Sequence, residues 1–476
     1  MLGSARGRVR RRGHLPMRRP SRASSLSGGR CVPARSSRVW PILALCCGAM
    51  IDGCSHTGPG DRPNVLLISL DACRADHLSS YGYSRQTSPF LDQLAAEGLL
   101  FSNAFANTLA TPPSHTTMLS SLYQETHRVQ FNARPGFARY RIPDDVTLLP
   151  EHLQRHGYTT VGVTGGGWMS SQFGYSRGFT VFDDQYFRPG VGSGRLTQLV
   201  RRHLQRGTPI FAFLHIYEIH SPHAPPPPYR TLWGSFPMRF EASDENLAAI
   251  NDGRLRVTES DVRGIQAMYD GEIRYTDDAL REMFAQLDGL GFFRNALVVI
   301  SADHGEELGE RGAFLHRGLL YDDLMHVPLI LRGTGVPSGK VERSLVSSVD
   351  TAPTILAAAG IHADVPLEGR NLLATAPRDA VFAQYEGRLY SIRTRRWKLI
   401  ENTQPPSFEL YDLEADPRER ANVVDRHRQE AQTLENRLRS WRQGLPSLRS
   451  SDSPPLEVNE EVKESLRALG YLDAHH

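Results

Sequence analysis

The chain has 476 residues, 40% hydrophobic and 22% charged, ordinary proportions for a folded protein with room for one large domain and a smaller one. Its formal charge of +3 comes from an Arg-rich beginning; the remainder is mildly acidic and carries no basic stripe for nucleic acid. All five cysteines lie at or before residue 73, so they outline no disulfide framework, and lysine occurs only at 340, 398 and 463.

Residues 1–38 are basic, rich in Ser and Gly and without periodicity, and translation starting at Met17 would shorten them. The 12-residue apolar run from Trp40 to Ile51 is too short to span a bilayer and has the length of a signal-peptide core. Ile51-Asp-Gly-Cys54 resembles a bacterial lipoprotein cleavage box, although Asp52 is unusual there. The expectation is an exported protein, periplasmic, cell-surface or secreted, with Cys54 as the point of lipid attachment to a membrane. A Gly/Pro linker then runs to Asp61.

Val65 to Leu70 is an unbroken apolar run, read as a buried parallel strand with Asp71 at its carboxyl end. Ser88, Pro89 and Gly98 are the N-cap, first residue and end of a helix, and residues 99–106 return as a strand. At Thr111-Pro-Pro-Ser-His115, Thr111 reads as an N-cap with Pro112 in the first turn, which aims a hydroxyl at free amides and the positive end of a helix. Residues 147–156 suggest a helix, and residues 158–164 a strand ending in Gly165-Gly-Gly. The stretch from Pro209 is a further buried strand, running into a loop that bears His215 and His220. Residues 258–290 carry an apolar stripe for a long helix, with a break expected near Gly271. Leu297 to Ile300 is a third buried strand, followed at once by Asp303-His304-Gly305-Glu306.

Ligands bind outside the carboxyl ends of strands in open α/β sheets. Asp71, Asp303 and His304 fall at such ends, and together they form a suitable shell for one divalent cation. The Thr111 hydroxyl can be a fourth ligand and lose its proton there. The plain alternatives are a turn-forming Asp, a capped helix, core histidines and a solvated acidic run. Beyond residue 375 the texture changes to short strands and one helix stripe, Ala431, Leu434, Leu438 and Trp441. The boundaries are a leader over 1–61, a catalytic domain over 62–374, a smaller α+β subdomain over 375–445, and a polar tail over 446–476 with a short helix.

Asn64–Asp76, Thr111–His115, His215–Pro222, Ser301–Leu308 and Val327–Ile330, with Trp397–Ile400 and Leu410–Leu413, resemble the sulfatase family of the alkaline phosphatase superfamily over roughly residues 62–445. The resemblance implies an α/β/α sandwich, a divalent metal, and attack of a hydroxyl-type nucleophile on sulfur or phosphorus. Two departures stand out. Family sulfatases mature a Cys or Ser to formylglycine at the head of a Cys-x-Pro-Ser-Arg motif; here Thr111 stands at the head and His115 replaces Arg. The two sulfate-holding lysines of arylsulfatases are also missing: Gly165–Gly167 stands for one, and Arg317 for the other. A metal-bound Thr nucleophile, His215 and His220 at that spacing, and a His twelve residues past the Asp-His-Gly-Glu, His316, resemble phosphoethanolamine transferases more closely.

The resulting expectation is a metal-dependent hydrolase that opens a sulfate or phosphate ester, phosphodiester or phosphonate, through Thr111. A phosphoryl transferase and a binding protein that keeps the fold are the alternatives. Thr111, His220, His316 and His215 carry the chemistry, Arg74, Arg317 and His115 hold the substrate, and Asp71, Thr111, Asp303 and His304 hold one divalent ion (Mn, Ca, Zn or Mg), a second being left open. The substrate would be a small-molecule, glycan or lipid ester.

Overall fold

The computed structural model describes residues 62–130, 141–185, 191–374, 376–446 and 458–468. The expected leader, its apolar run and Cys54 lie outside the described residues. No helix among the described residues is long and apolar enough to cross a membrane.

Eight strands form one central sheet in the order Lys340–Glu342, Leu99–Phe101, Leu329–Gly333, Ala296–Ala302, Asn64–Leu70, Ile210–Ile216, Thr159–Val163 and Val181–Asp183. Leu329–Gly333 runs antiparallel to both neighbours, and the other pairings are parallel. The apolar runs form central strands because both of their faces are covered. Leu66, Ile68, Ala212, Leu214, Val298 and Ile300 pack on one side with the helices Pro89–Glu97, Val191–Leu204 and Glu259–Gly289. Val65, Leu67, Phe211, Phe213, Leu297 and Val299 pack on the other with the helices Thr111–Ser120, Leu149–Arg155 and Thr351–Ala358. The architecture is the expected α/β/α sandwich. Each fully buried Leu, Ile or Phe in these layers contributes about 1.5–3 kcal/mol of transfer free energy.

Three local expectations change. The strand expected over residues 99–106 is two short ones, Leu99–Phe101 and Ala104–Phe105, and the second leaves the central sheet to pair with Val346–Ser347. The long helix Glu259–Gly289 is continuous through Gly271. A side chain at Gly271 would put its Cβ within 2.6 Å of the Tyr229 carbonyl oxygen, so glycine there lets the Pro-rich segment lie against the helix. Ser88 is the N-cap of Pro89–Glu97, but the free amides of Phe90 and Leu91 go instead to the Asp277 carboxylate, 2.8 Å from each.

Beyond the sandwich, Val381–Tyr385, Leu389–Arg393, Trp397–Thr403 and Pro406–Asp412 form an antiparallel meander. One face takes the helix Arg428–Gly444 through Leu434 and Leu438, and the other packs Val381, Leu389 and Ile400 against Phe105, Leu109 and Leu324. Lys398, 1% exposed, joins the two layers by ion pairs of 2.7 Å to Asp322 and 2.7 Å to Glu419. The last described helix, Glu460–Ala468, returns to the sandwich and buries Val462 and Leu466.

Candidate active site

Three adjacent parallel strands end at one place. Asp71 follows Asn64–Leu70, Asp303 follows Ala296–Ala302, and His215 is the penultimate residue of Ile210–Ile216. After Asp71 the chain turns through Ala72 in the left-handed region, at φ 55°, and the Ala72 amide donates to Asp303 Oδ1 at 3.2 Å. The His304 amide donates to the same oxygen at 2.9 Å. One oxygen of Asp303 thus ties two strand ends together, and Oδ2 is left facing the site.

His304 donates Nδ1–H to the Gly305 carbonyl at 2.9 Å, which leaves a lone pair on Nε2. That Nε2 lies 3.7 Å from Asp71 Oδ1 and 3.5 Å from Asp303 Oδ2. Both Asp71 oxygens, Asp303 Oδ2, His304 Nε2 and Thr111 Oγ1 are buried with no hydrogen-bond partner. Buried orphans of this kind are costly, and oxygen and imidazole donors converging in one place fit a divalent cation. One ligand atom from each of Asp71, Asp303 and His304 lies within 4.8 Å of the others.

Thr111 opens the helix Thr111–Ser120, but as its first helical residue. Ala110, in extended conformation, is the N-cap, and its carbonyl takes the first helical bond from the Ser114 amide at 3.0 Å. The N-cap expectation for Thr111 is therefore off by one residue. The hydroxyl is buried within the first turn, still at the positive helix end.

His115, one turn along, is fully buried. Its Nδ1–H donates to the Thr111 carbonyl at 2.8 Å, and Nε2 accepts from Ser69 Oγ at 2.9 Å. Nδ1 is also 3.6 Å from Asp303 Oδ2, so this ring docks the helix start against the carboxylate. Burial, with the nearby His215, brings its pKa down to about 4 and keeps it neutral. The substrate-holding role expected for His115 is corrected: a ring bonded on both sides within the core positions Thr111 instead. His115, His215 and Asp303 form a second group of close donor atoms, but with both His115 nitrogens taken it lacks a free third donor.

His215 points Nε2 at Asp71 Oδ2 across 3.3 Å and packs edge-on to His115, ring centres 4.5 Å apart. Burial lowers it to about 4 as well. The other two histidines sit apart from it. His220 Nε2 lies 3.2 Å from His316 Nε2, and the His316 ring centre is 4.6 Å from that of His304. Burial alone would lower His220, but Asp71, Glu306 and Asp244 outweigh it and bring it up to about 9. His316 is pushed well down by burial and by its two histidine neighbours. The two Nε2 atoms are close enough to share one proton.

Arg74 is 2% exposed and all three guanidinium nitrogens are engaged: with Asp76, with Glu310 at 2.6 Å and with the Glu306 carbonyl at 3.0 Å. The substrate contact expected of Arg74 is thus corrected to the salt-bridge reading, in which it clamps the Asp303–Glu306 loop. Gly305 completes the clamp, since any Cβ there would collide with the Asp323 carbonyl. Arg317 keeps 41% of its side chain exposed and pairs with Glu307 at 3.8 Å.

Two buried groups beside the centre had no distinct sequence signal. Glu306 has no exposed surface and no partner for either oxygen, and burial raises it to about 7. In sequence it reads as the start of an exposed acidic run. His223 donates Nδ1–H to Glu272 Oε2 at 2.7 Å, which leaves Nε2 buried and unpartnered. The His-x-x-His spacing from His220 to His223 is the only hint of it.

Two carboxylates, an imidazole and a helix-end hydroxyl at the carboxyl edge of a mainly parallel sheet are the makings of a cation-assisted ester hydrolase. The chain belongs to the sulfatase family: residues 63–361 match the family model described as Sulfatase, and residues 309–444 match the one described as N-sulphoglucosamine sulphohydrolase, C-terminal. Arylsulfatase K of Bos taurus is 25% identical over 452 residues, covering 80% of this chain and 82% of that protein. Delta 4,5-hexuronate-2-O-sulfatase of Bacteroides thetaiotaomicron is 23% identical, covering 76% and 85%. Among solved structures, the phosphonate monoester hydrolase of Agrobacterium radiobacter superposes with a TM-score of 0.67 over 81% of this chain and 96% of that one, at 21% identity, a likeness of fold. Members of this family bind a divalent metal ion, and the chain is a sulfatase-like ester hydrolase.

Proposed function

We propose that this chain is an exported, metal-dependent hydrolase that opens a phosphodiester or phosphonate ester by attack of the Thr111 hydroxyl. The observation that carries the reading is Thr111 Oγ1 itself, buried and unpartnered in the first turn of a helix docked on Asp303. Asp71, Asp303 and His304 would hold the cation, which when bound supplies positive charge beside the hydroxyl and the ester oxygens. A set of carboxylates with one imidazole suits Mn²⁺ or Zn²⁺ better than Mg²⁺.

Thr111 Oγ, its proton already given up to solvent, attacks phosphorus as the bond to the leaving oxygen breaks, and that oxygen takes the proton held between His220 and His316. Water then attacks the phosphothreonine, returning a proton to the pair, and Oγ departs as the alkoxide that begins the next cycle. The same route on sulfur would stop at sulfothreonine, because Thr cannot become the formylglycine whose hydrate expels sulfate. Export rests on the basic segment and short apolar run before residue 52, and attachment on Cys54.

A second reading, sulfate ester hydrolysis, is favoured by the names of the relatives. A panel of sulfate monoesters, phosphate monoesters, phosphodiesters and phosphonate esters, with Mn²⁺, Zn²⁺, Ca²⁺ or Mg²⁺ added in turn, separates the two. Turnover greatest on phosphodiester or phosphonate supports the proposal, and multiple turnovers confined to sulfate esters would replace it. Tight metal binding with no turnover of any ester would favour a binding protein.

A further inference from the structure

The helix Glu460–Ala468 lies outside the stretches of chain matched by either family model. It is nonetheless firmly docked. Val462 and Leu466 are 6% and 1% exposed, and Ser465 Oγ accepts the Gly167 amide at 2.7 Å. The Asn459 amide donates to Gln172 Oε1 at 3.2 Å, and Asn459 Oδ1 in turn accepts from the Val462 amide at 2.8 Å. Between this helix and the loop after Thr159–Val163 lies a cavity of about 320 Å³. Its polar walls include Gln172, Asp184, Gln185, Asn459, Glu461 and Ser465, and among the described residues none that lines it is basic.

The position of the cavity gives it meaning. Thr159–Val163 lies next to Ile210–Ile216 in the sheet, Val181–Asp183 lies beyond it at the edge, and all three run parallel, so the cavity lies at the same carboxyl edge as Thr111 and Asp303. The two places are joined by Tyr217. Its hydroxyl reaches the Gly166 carbonyl at 3.4 Å, and its ring meets that of His215 edge-on, centres 4.4 Å apart. Adjacent strands are about 4.8 Å apart and Thr159–Val163 lies two strands from Asn64–Leu70, so a leaving group spanning roughly 10 Å, about two rings, would reach from one to the other.

We propose that the C-terminal helix completes a leaving-group subsite that accepts neutral or cationic polar groups and rejects a second anion. Amide and hydroxyl walls donate to and accept from such a group, whereas the Asp184 and Glu461 carboxylates repel negative charge. The inference rests on the ester-hydrolase reading above and adds its selectivity: the favoured ester has a single anionic centre.

The test uses the full chain and a matched set of aryl esters whose leaving phenol carries a carboxamide, a trimethylammonium or a sulfonate group. Wild type should favour the first two over the sulfonate in kcat/KM, and Glu461→Lys should reduce that preference by about three- to tenfold. Glu464→Lys, an equal charge change at an exposed site on the same helix that does not line the cavity, should leave it intact. An unchanged preference in Glu461→Lys would overturn the subsite. If no ester turns over, binding of the three free phenols is measured by saturation-transfer NMR. Weaker binding of the trimethylammonium phenol to Glu461→Lys still supports the subsite while removing the hydrolase reading, and equal binding of all three phenols to both proteins overturns it.

Discussion

His220 and His316 face each other through their Nε2 atoms at 3.2 Å, ninety-six residues apart in sequence, and only one of them can hold a proton between them. The pair lies beside His304, with ring centres 6.5 and 4.6 Å from it. This is where a leaving oxygen would need its proton. His220→Ala should lower kcat/KM by roughly 10²–10⁴ for esters of aliphatic alcohols, and much less for nitrophenyl esters that leave unprotonated. An equal loss on both ester classes would remove the proton-donor role.

Metal affinity should follow Asp303. Asp303→Asn removes one formal charge and the free Oδ2 while keeping the shape of the loop. Metal content after dialysis, read by mass spectrometry of the ions, should fall, and affinity should drop by at least roughly 10–100-fold, the loss that outer-shell changes alone produce. Added Mn²⁺ should raise the melting temperature of wild type and raise that of the variant much less. An equal rise in both would contradict the ligand assignment.

His115 is expected to act through Thr111 and Asp303. His115→Ala should reduce kcat more than it raises KM, because the helix start loses its tie to the carboxylate. His115→Gln, which can still donate to the Thr111 carbonyl, should recover part of the loss. Steady-state kinetics of both variants checks this. A large KM effect with kcat unchanged would return His115 to the substrate-holding role.

The joint between sandwich and meander should be acid-sensitive. Burial alone would raise Asp322, but Arg393 and Lys398 outweigh it and hold it below the usual carboxylate range. A depressed folded pKa contributes stability above the unfolded value near 3.9, and that contribution is lost as pH falls through the folded value. Melting temperature should therefore fall below about pH 4. Asp322→Asn leaves Lys398 buried beside Glu419 alone and should cost roughly 3–5 kcal/mol. Its melting temperature should also change less between pH 5 and pH 3 than that of wild type.

Much of this arrangement is legible in the chain. The three apolar runs can only be central strands, so Asp71 and Asp303 had to meet at one edge, and the sandwich follows from covering both faces. What periodicity could not place were groups whose roles depend on distant partners. Arg74 is two residues from Asp76 but is consumed by Glu310 and the Glu306 carbonyl, far along the chain. Asp277, on the long helix, supplies the cap expected of Ser88. Gly271 reads as a break and is a point of close approach. Glu306 looks solvated in sequence because nothing local announces that Gly305 and Arg74 turn it inward.

The central claim is that Thr111 carries the group being transferred. The most direct measurement is rapid acid quench of wild type turning over a phosphodiester, followed by peptide mass spectrometry over residues 111–128. The expected result is a phosphate adduct on Thr111 that appears with substrate, decays as substrate is exhausted, and is absent from Thr111→Ala, whose activity is lower by at least about 10³-fold. Sustained product release with Thr111 unmodified at every time point would contradict it.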